Sequence, residues 1–360
     1  MASGDLLALQ IYQFKGKTAG RKAYIQANLH GAEIAGNVVI YDLIQWLTAK
    51  DASDLAGEIW LVPLCNPMGV NQRSHHFPTG RYSTYEGQDW NRIFWDYAKT
   101  DATLPTDLSN LTADGLVETF RQQILASFAA EQAELTQIQG LPLHKLYRTT
   151  LQSLALDADY LIDLHSSSNR GLAYLYYFDR REDGARLFDL DFGILLDKYD
   201  GDAFDEAFIK PWLALEALAA AKGQPQRCEV EAYTLEIGTG MKVDPVAVEK
   251  SLQGVKNYLV QKGLVKDAAF MLHQPKMPLY SRHCSQRYYA TAGGVIQHHI
   301  EPGARVQPGD PLYELLSFNK TGDLPRIVEV RSQHSGFIYD VSTSEVMNQG
   351  EYVLALIADE

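Results

Sequence analysis

Two histidines and one carboxylate make a catalytic zinc set when a fourth position is left open to water. His30 and Glu33 supply a His-x-x-Glu pair of that kind. Spacing alone decides nothing. The chain has ten histidines, and with about a one-in-eight chance of an acid three residues on, roughly one such pair arises by accident. A second pair, His298 and Glu301, is indeed present. Context separates the two. His30 closes an apolar run, Gly31 permits a sharp turn, and a helix-like stretch follows. In open α/β sheets, ligand sites lie beyond the carboxyl ends of strands. His298 and Glu301 sit beside a Pro-Gly turn in a β-rich region and read as solvated surface groups.

His165 also closes an apolar run, and Asp163 precedes it by two residues. On an extended strand both side chains point to one face. A carboxylate there can orient the imidazole; the alternative for Asp163 is a buried structural hydrogen-bonding group. Glu236 ends a third apolar run, Tyr233–Ile237. A carboxylate in such a strand is costly to bury unless it is paired or working. If working, it is the base that takes a proton from an activated water and passes it to a leaving amine; otherwise it is structural. Asn91 and Arg92, in Asp89-Trp90-Asn91-Arg92, can hold a carboxylate, which guanidinium binds bidentately. Arg81 follows Thr79-Gly80 in a loop. Near a metal it would stabilise an oxyanion; in solvent it is an ordinary surface charge.

The elements that must position these groups alternate. Ala23–Leu29, Glu58–Leu64, Tyr160–Leu164, Leu172–Phe178 and Glu229–Ile237 read as strands. Ile34–Leu47 and residues 115–138, 143–156, 203–222 and 245–262 read as helices, the last with Asp244 as cap, Pro245 at its first position and Gly263 as its stop. This alternation predicts an α/β fold with a mostly parallel, mixed sheet flanked by helices. Beyond about residue 275 the composition shifts to short β-rich runs between turn signals such as Gly293-Gly294, Pro308-Gly309-Asp310 and Gln349-Gly350. The expected division is a catalytic domain over 1–274 and a small C-terminal all-β module over 275–360, joined at His273–Pro278. Residues 100–114 are the most loop-like internal segment.

Composition narrows the function. The chain has 360 residues, 46% of them hydrophobic and 21% charged, values that support a globular core. The net charge of −13 disfavours nucleic acid and anionic membranes as partners. Three well-separated cysteines, Cys65, Cys228 and Cys284, argue against a disulfide framework. The N-terminal stretch carries no basic leader and no run is long enough to span a bilayer, so a reducing cytoplasm is the expected location.

The ordered set His30-Gly31-Ala32-Glu33, Asn66-Pro67, Gly80-Arg81, Asp89-x-Asn91-Arg92, Asp163-x-His165 and Glu236-Ile237-Gly238 resembles the succinylglutamate desuccinylase/aspartoacylase family, within the zinc-carboxypeptidase-like superfamily. The resemblance runs from about residue 20 to 360, and Gly293-Gly294-Val295 with Val306-x-x-Gly309-Asp310 resemble the biotinyl/lipoyl-like barrel appended to many members. It implies one zinc held by His30, Glu33 and His165, with Glu236 as general base and acid and Arg81 polarising the scissile carbonyl. It also implies Asn91 and Arg92 gripping a substrate carboxylate. The implied activity is hydrolysis of an N-acyl amino acid or related small carboxylate. The family uses a further arginine to read a second carboxylate; Arg227 and Arg170 are the two candidates. The loop from Asn66 to Arg81, carrying Arg73, His75 and His76, is longer than in the named enzymes. The β module lacks a convincing lysine at a hairpin tip, so no lipoylation or biotinylation is expected. A metallocarboxypeptidase of short peptides and a non-catalytic binding protein on the same fold are the competing readings, and homo-oligomerisation is left open.

Overall fold

The computed structural model describes residues 3–100, 104–105, 113–272, 276–318 and 320–359. A central sheet runs in the order Tyr12–Lys15, Ala56–Val62, Thr18–Ala27, Tyr160–Ser167, Glu231–Thr239, Ala173–Tyr177, Phe192–Leu195, Leu279–Ser281. Antiparallel pairing occurs between the first two strands and between Glu231–Thr239 and Ala173–Tyr177; the other neighbours are parallel. The mixed, mostly parallel sheet therefore stands as expected.

Helices cover both faces. Ala35–Thr48 and Pro245–Gln261 pack on one face, where Val39, Ile40, Leu43 and Leu47 meet Val255 and Leu259 over Ile25, Ile162 and Leu235. The periodic spacing of these apolar residues is what buries one helix face. Gly36 lets the Ala35–Thr48 helix sit close to the sheet, because a Cβ there would come within 2.9 Å of the Ala27 and Leu164 side chains. Asp244 caps its helix by accepting from Val246 N at 2.9 Å, with Pro245 in the first turn. The opposite face carries Ala113–Glu134, Leu143–Gln152 and Phe204–Ala221, packed over Tyr24, Val62, Leu161 and Ala232. Among the described residues, no helix is long and apolar enough to cross a membrane.

The C-terminal region forms two small antiparallel sheets around Ile296, Leu312, Leu315, Ile338, Leu354 and Leu356. It is locked onto the central sheet in two places. The two-residue strand Arg170–Gly171 pairs with Gly336–Val341, and Tyr174, Phe192 and Ile194 pack against Tyr339, Ala355 and Ile357. Strand Leu279–Ser281 pairs with Phe192–Leu195 and so completes the central sheet, although the sequence reading assigns it to the β module. Three residues are too few to show a period of their own. The division drawn at 274/275, like most of the 100–114 loop, lies outside the described residues.

Candidate metal centre and catalytic cavity

The site begins where the Thr18–Ala27 strand ends. Asn28 adopts φ 69°, a conformation that asparagine tolerates. Its Nδ2 donates to the carbonyls of His30, Gly31 and Glu33 at 3.0, 3.3 and 3.2 Å. That staple curls the loop so that Glu33 returns beside His30. Gly31 must be glycine, since a Cβ would lie 2.0 Å from Gly69 O. Asn66 clamps the same corner, donating from Nδ2 to Leu29 O at 2.8 Å and accepting from Gly69 N at 2.9 Å.

Glu33 stands between two imidazoles. Its Oε1 lies 2.9 Å from His30 Nδ1 and its Oε2 2.8 Å from His165 Nδ1. All three residues are buried, and one ligand atom from each lies within 4.8 Å of the others. The outer ring nitrogens face carboxylates: His30 Nε2 is 3.0 Å from Asp89 Oδ1 and His165 Nε2 is 3.1 Å from Asp163 Oδ2. His30 is held as metal-binding histidines are, with one nitrogen hydrogen-bonded to a carboxylate and the other turned inward, while at His165 the approach to Asp163 is an ion-pair contact without hydrogen-bond geometry. Burial works against charge on both rings. For His30 the Glu33 charge outweighs it, and for His165 Asp163 and then Glu33 do, so both imidazoles are pushed up, His165 strongly. Burial also opposes ionisation of Glu33, but His30 and His165 hold its carboxyl well below the usual range. The pocket is thus electrostatically arranged for positive charge at one point. A neutral-histidine, carboxylate donor set of this kind fits a divalent cation such as zinc.

Glu236 opposes His165 on the adjacent strand. Burial first, and the Glu33 charge second, raise its carboxyl to about 7. Its Oε2 has no hydrogen-bond partner, an expensive condition for a buried oxygen unless a reactant completes it. A bulge after Glu236, with Gly238 at φ 64°, ends the regular pairing there.

Arg81 approaches from the other side. Its Nε is 3.0 Å from Asp89 Oδ2, and its Nη1 is 3.4 Å from His30 Nδ1 and 3.7 Å from Glu33 Oε1. Asp89 is therefore a hub, accepting also from Asn91 N at 2.8 Å. Burial opposes its charge, but the His30 hydrogen bond and the His30 and Arg81 charges bring its carboxyl down to about 2. Asn91 spends Oδ1 on Phe204 N, at the start of the Phe204–Ala221 helix, at 2.8 Å, which leaves its Nδ2 for the cavity. Arg92 is exposed, and its Nη1 donates to Asn91 O at 2.5 Å.

His30, Glu33, Arg81, Asn91, Arg92, His165 and Glu236 line one cavity of about 660 Å³, together with Ser166–Asn169, Tyr174, Tyr176, Ile194, Asp205, Glu206 and Thr234. Two further arginines line it, Arg282 and Arg287, both contributed from beyond residue 274. Neither forms an ion pair with a carboxylate among the described residues; Arg282 donates to Lys198 O at 2.7 Å. Sequence reasoning missed both, because it places them in a separate module.

Two expectations are corrected. Arg170 does not enter the cavity: its strand pairs with Gly336–Val341, and its guanidinium reaches Glu301 at 3.1 Å and His299 at 2.8 Å. Arg227 precedes the Glu231–Thr239 strand, at the end opposite Glu236. It binds Glu231 at 2.6 Å, and at about 3.3 Å per residue the five steps from Glu231 to Glu236 span roughly 16 Å. His75 and His76 are exposed in the hairpin that pairs Arg73–Ser74 with Phe77–Pro78, and Arg73 turns back to Gln72 O at 3.0 Å. None of the three lines the cavity.

The chain resembles known proteins over nearly its whole length. Residues 19–261 match the family model described as the succinylglutamate desuccinylase/aspartoacylase catalytic domain. A solved structure from Shewanella amazonensis SB2B, described as a candidate member of that family, is 30% identical, covering 99% of this chain and 96% of its own at a TM-score of 0.87. A similarly described protein from Shewanella frigidimarina NCIMB 400 is 27% identical at a TM-score of 0.89, covering 100% of this chain and 95% of its own. The product-bound ectoine utilization protein EutE (DoeB) of Ruegeria pomeroyi shares the fold at 17% identity and a TM-score of 0.66, covering 97% and 88%. Curated proteins offer no match to the chain.

Proposed function

The chain belongs to the succinylglutamate desuccinylase/aspartoacylase family, and from that premise we propose that it is a zinc-dependent deacylase that hydrolyses the amide bond of an N-acyl amino acid or related small carboxylate. The observation that carries this reading is the convergence of His30, Glu33 and His165 on one point, one strand away from the unpartnered Glu236 carboxylate. His30 Nδ1, Glu33 and His165 Nδ1 would hold the ion. When bound, zinc supplies Lewis acidity for the amide carbonyl and lowers the pKa of water towards ~7.

The chain's own residues do the rest. Glu236 takes the proton of the attacking water on its carboxylate and returns it to the departing nitrogen. A carboxyl raised by burial and by Glu33 suits a group that must both accept and donate near neutrality. Arg81, held by Asp89, presents a cation to the developing oxyanion. Asn91 Nδ2 and Arg92 bind a substrate carboxylate, so that attack occurs within a positioned complex. Arg282 and Arg287 join Arg81 and Arg92 in a cavity that also holds four carboxylates, Glu33, Asp205, Glu206 and Glu236. They suit a substrate that is itself anionic.

The test is a hydrolysis screen of zinc-loaded protein against a panel of N-acyl amino acids and a matched panel of dipeptides, with metal content measured in parallel. Turnover of N-acyl amino acids with one zinc per chain is the expected result. Turnover confined to dipeptides transfers the protein to the carboxypeptidase reading. No zinc uptake and no turnover defeats the proposal.

A further inference from the structure

The C-terminal region reaches the turn after His165 through a buried carboxylate, beside a longer contact in which Thr343 Oγ1 donates to Ser168 O at 3.5 Å. Asp340, on strand Gly336–Val341, is 5% exposed. Its Oδ2 accepts from Ser167 Oγ. Its Oδ1 accepts from Asn169 Nδ2 at 2.8 Å and from Tyr352 OH at 2.5 Å. Two of these three donors belong to the segment that follows His165, and the third belongs to the module itself. Ser167 Oγ in turn accepts from Asn169 N at 3.0 Å, which closes the turn on itself.

The turn so held is part of the site. Ser166 N donates to Glu33 Oε2 at 3.3 Å, so the backbone just beyond His165 contacts a candidate metal ligand. Ser166, Ser167 and Asn169 form one wall of the cavity. The turn has little room to relax elsewhere. Gly240 packs so tightly that a Cβ would lie 2.4 Å from Ser167 O, and Gly240 N donates to Asn169 O at 3.2 Å. On its other side Gly171 pairs with Asp340 itself.

A buried carboxylate costs free energy unless donors compensate it. No ion pair within 4.0 Å holds Asp340 among the described residues; hydroxyl and amide donors compensate it, with the more distant Arg287 charge acting in the same direction. Burial still leaves its carboxyl raised, with the Ser167, Tyr352 and Asn169 hydrogen bonds and then the Arg287 charge working the other way. Aligned strand pairing and the apolar contact of Tyr339 with Tyr174 would hold the module in place without it.

We propose that Asp340 is a positioning residue: through Ser167 and Asn169 it sets the turn after His165, so that the C-terminal module is a structural part of the active site. The claim rests on the deacylase reading for its catalytic consequence, but not for the tether itself. Displacing a cavity wall by the order of 1 Å can cost about 10²-fold in rate.

The experiment compares the full chain with D340A, D340N and S167A. Asparagine can keep all three contacts, because its carbonyl accepts from Asn169 and Tyr352 while its amide donates to Ser167 Oγ. D340A and S167A are expected to lower kcat/KM roughly 10- to 100-fold, mainly through kcat, with D340N near wild type. The double variant D340A/S167A should fall no further than D340A, since both cut one tether. Hydrogen exchange of peptides spanning 165–171, measured on the metal-free protein, should quicken in D340A and S167A and not in D340N. S167A matters because it leaves the module's Tyr352–Asp340 bond intact and so separates tethering from simple destabilisation. Exchange unchanged in D340A and S167A overturns the tether, whatever the activity. Quickened exchange with unchanged kcat and KM overturns its role in catalysis. A wild-type protein that fails every substrate defeats the deacylase reading, and the exchange comparison then still decides the tether.

Discussion

Asp89 offers a sharp test of how the site is assembled, because three donors meet on its two oxygens. Oδ1 accepts from Asn91 N at 2.8 Å and faces His30 Nε2 at 3.0 Å, while Oδ2 faces Arg81 Nε at 3.0 Å. For His30 Nδ1 to offer a lone pair to a metal, Nε2 must carry the hydrogen and donate to Asp89. Asp89→Ala removes that acceptor. A hydrogen bond to a charged group is worth about 1.5–3 kcal/mol, and every 1.4 kcal/mol is tenfold in affinity. Zinc should therefore bind roughly 10- to 100-fold more weakly. Asp89→Asn is more discriminating. Its carbonyl must take the Oδ1 position, where two N–H donors wait, and this forces the amide NH₂ against Arg81 Nε. Donor then opposes donor, and the guanidinium swings away. Asp89→Asn should thus keep most of the zinc affinity and lose kcat. The assay is competition for zinc against a chromophoric chelator, paired with steady-state kinetics on the N-acyl substrate found by screening. Zinc affinity unchanged in Asp89→Ala would refute the orienting role, and equal metal loss in both variants would refute the division of labour between the two oxygens.

Three further outcomes follow from the same geometry. Glu236→Gln should retain zinc by elemental analysis yet lose on the order of 10²–10⁴ in kcat; undiminished turnover would remove Glu236 from the proton path. Arg287→Ala should raise KM for an anionic substrate about tenfold with little change in kcat, and a methyl ester of the same substrate should show a smaller difference. An equal response of acid and ester would show that Arg287 reads no charge. Glu206 lines the cavity with its carboxyl raised to about 7, by burial first and by Asp205 second. The folded state therefore binds a proton that the unfolded chain has released, so stability from this group is present below about pH 4.5 and is lost as pH rises towards 7. Glu206→Gln should flatten that decline in Tm, measured by calorimetry between pH 5 and 7.5, and an unchanged slope would show that Glu206 does not titrate there.

The residues that surround the proposed metal were legible because each is a polar side chain closing a long apolar run. His30, His165 and Glu236 sit at the carboxyl ends of three neighbouring strands, and parallel pairing brings such ends to one rim. Apolar runs such as Tyr160–Leu164 and Ala23–Leu29 declare themselves through composition, although the strands built on them reach on to Ser167 and back to Thr18. Shorter strands do not. Tyr12–Lys15, Phe192–Leu195 and Leu279–Ser281 exist because neighbours in the sheet accept them, and no local period announces three or four residues. Arg170 and Arg227 show the same limit. Their distance along the chain from His165 and Glu236 suggested the cavity, whereas strand direction and one cross-module pairing sent each side chain elsewhere.

This asymmetry has a physical cause that bears on substrate choice. Chemistry at a metal needs a few groups held to within fractions of an ångström, and the long buried strands that do this are the most strongly patterned parts of the sequence. Recognition of the substrate needs charges at the cavity mouth, and here Arg282 and Arg287 come from the segment right after the sheet's last, three-residue strand. Their position depends on Leu279–Ser281 pairing with Phe192–Leu195, and on Tyr339 and Ile357 packing against Tyr174 and Phe192. A substitution in Leu279–Ser281 would shift the arginines while leaving the loop that carries His30 and Glu33 and the strand that carries His165 in place. In this chain, substrate preference should be easier to alter from residues 279–287 than from the metal-binding loops.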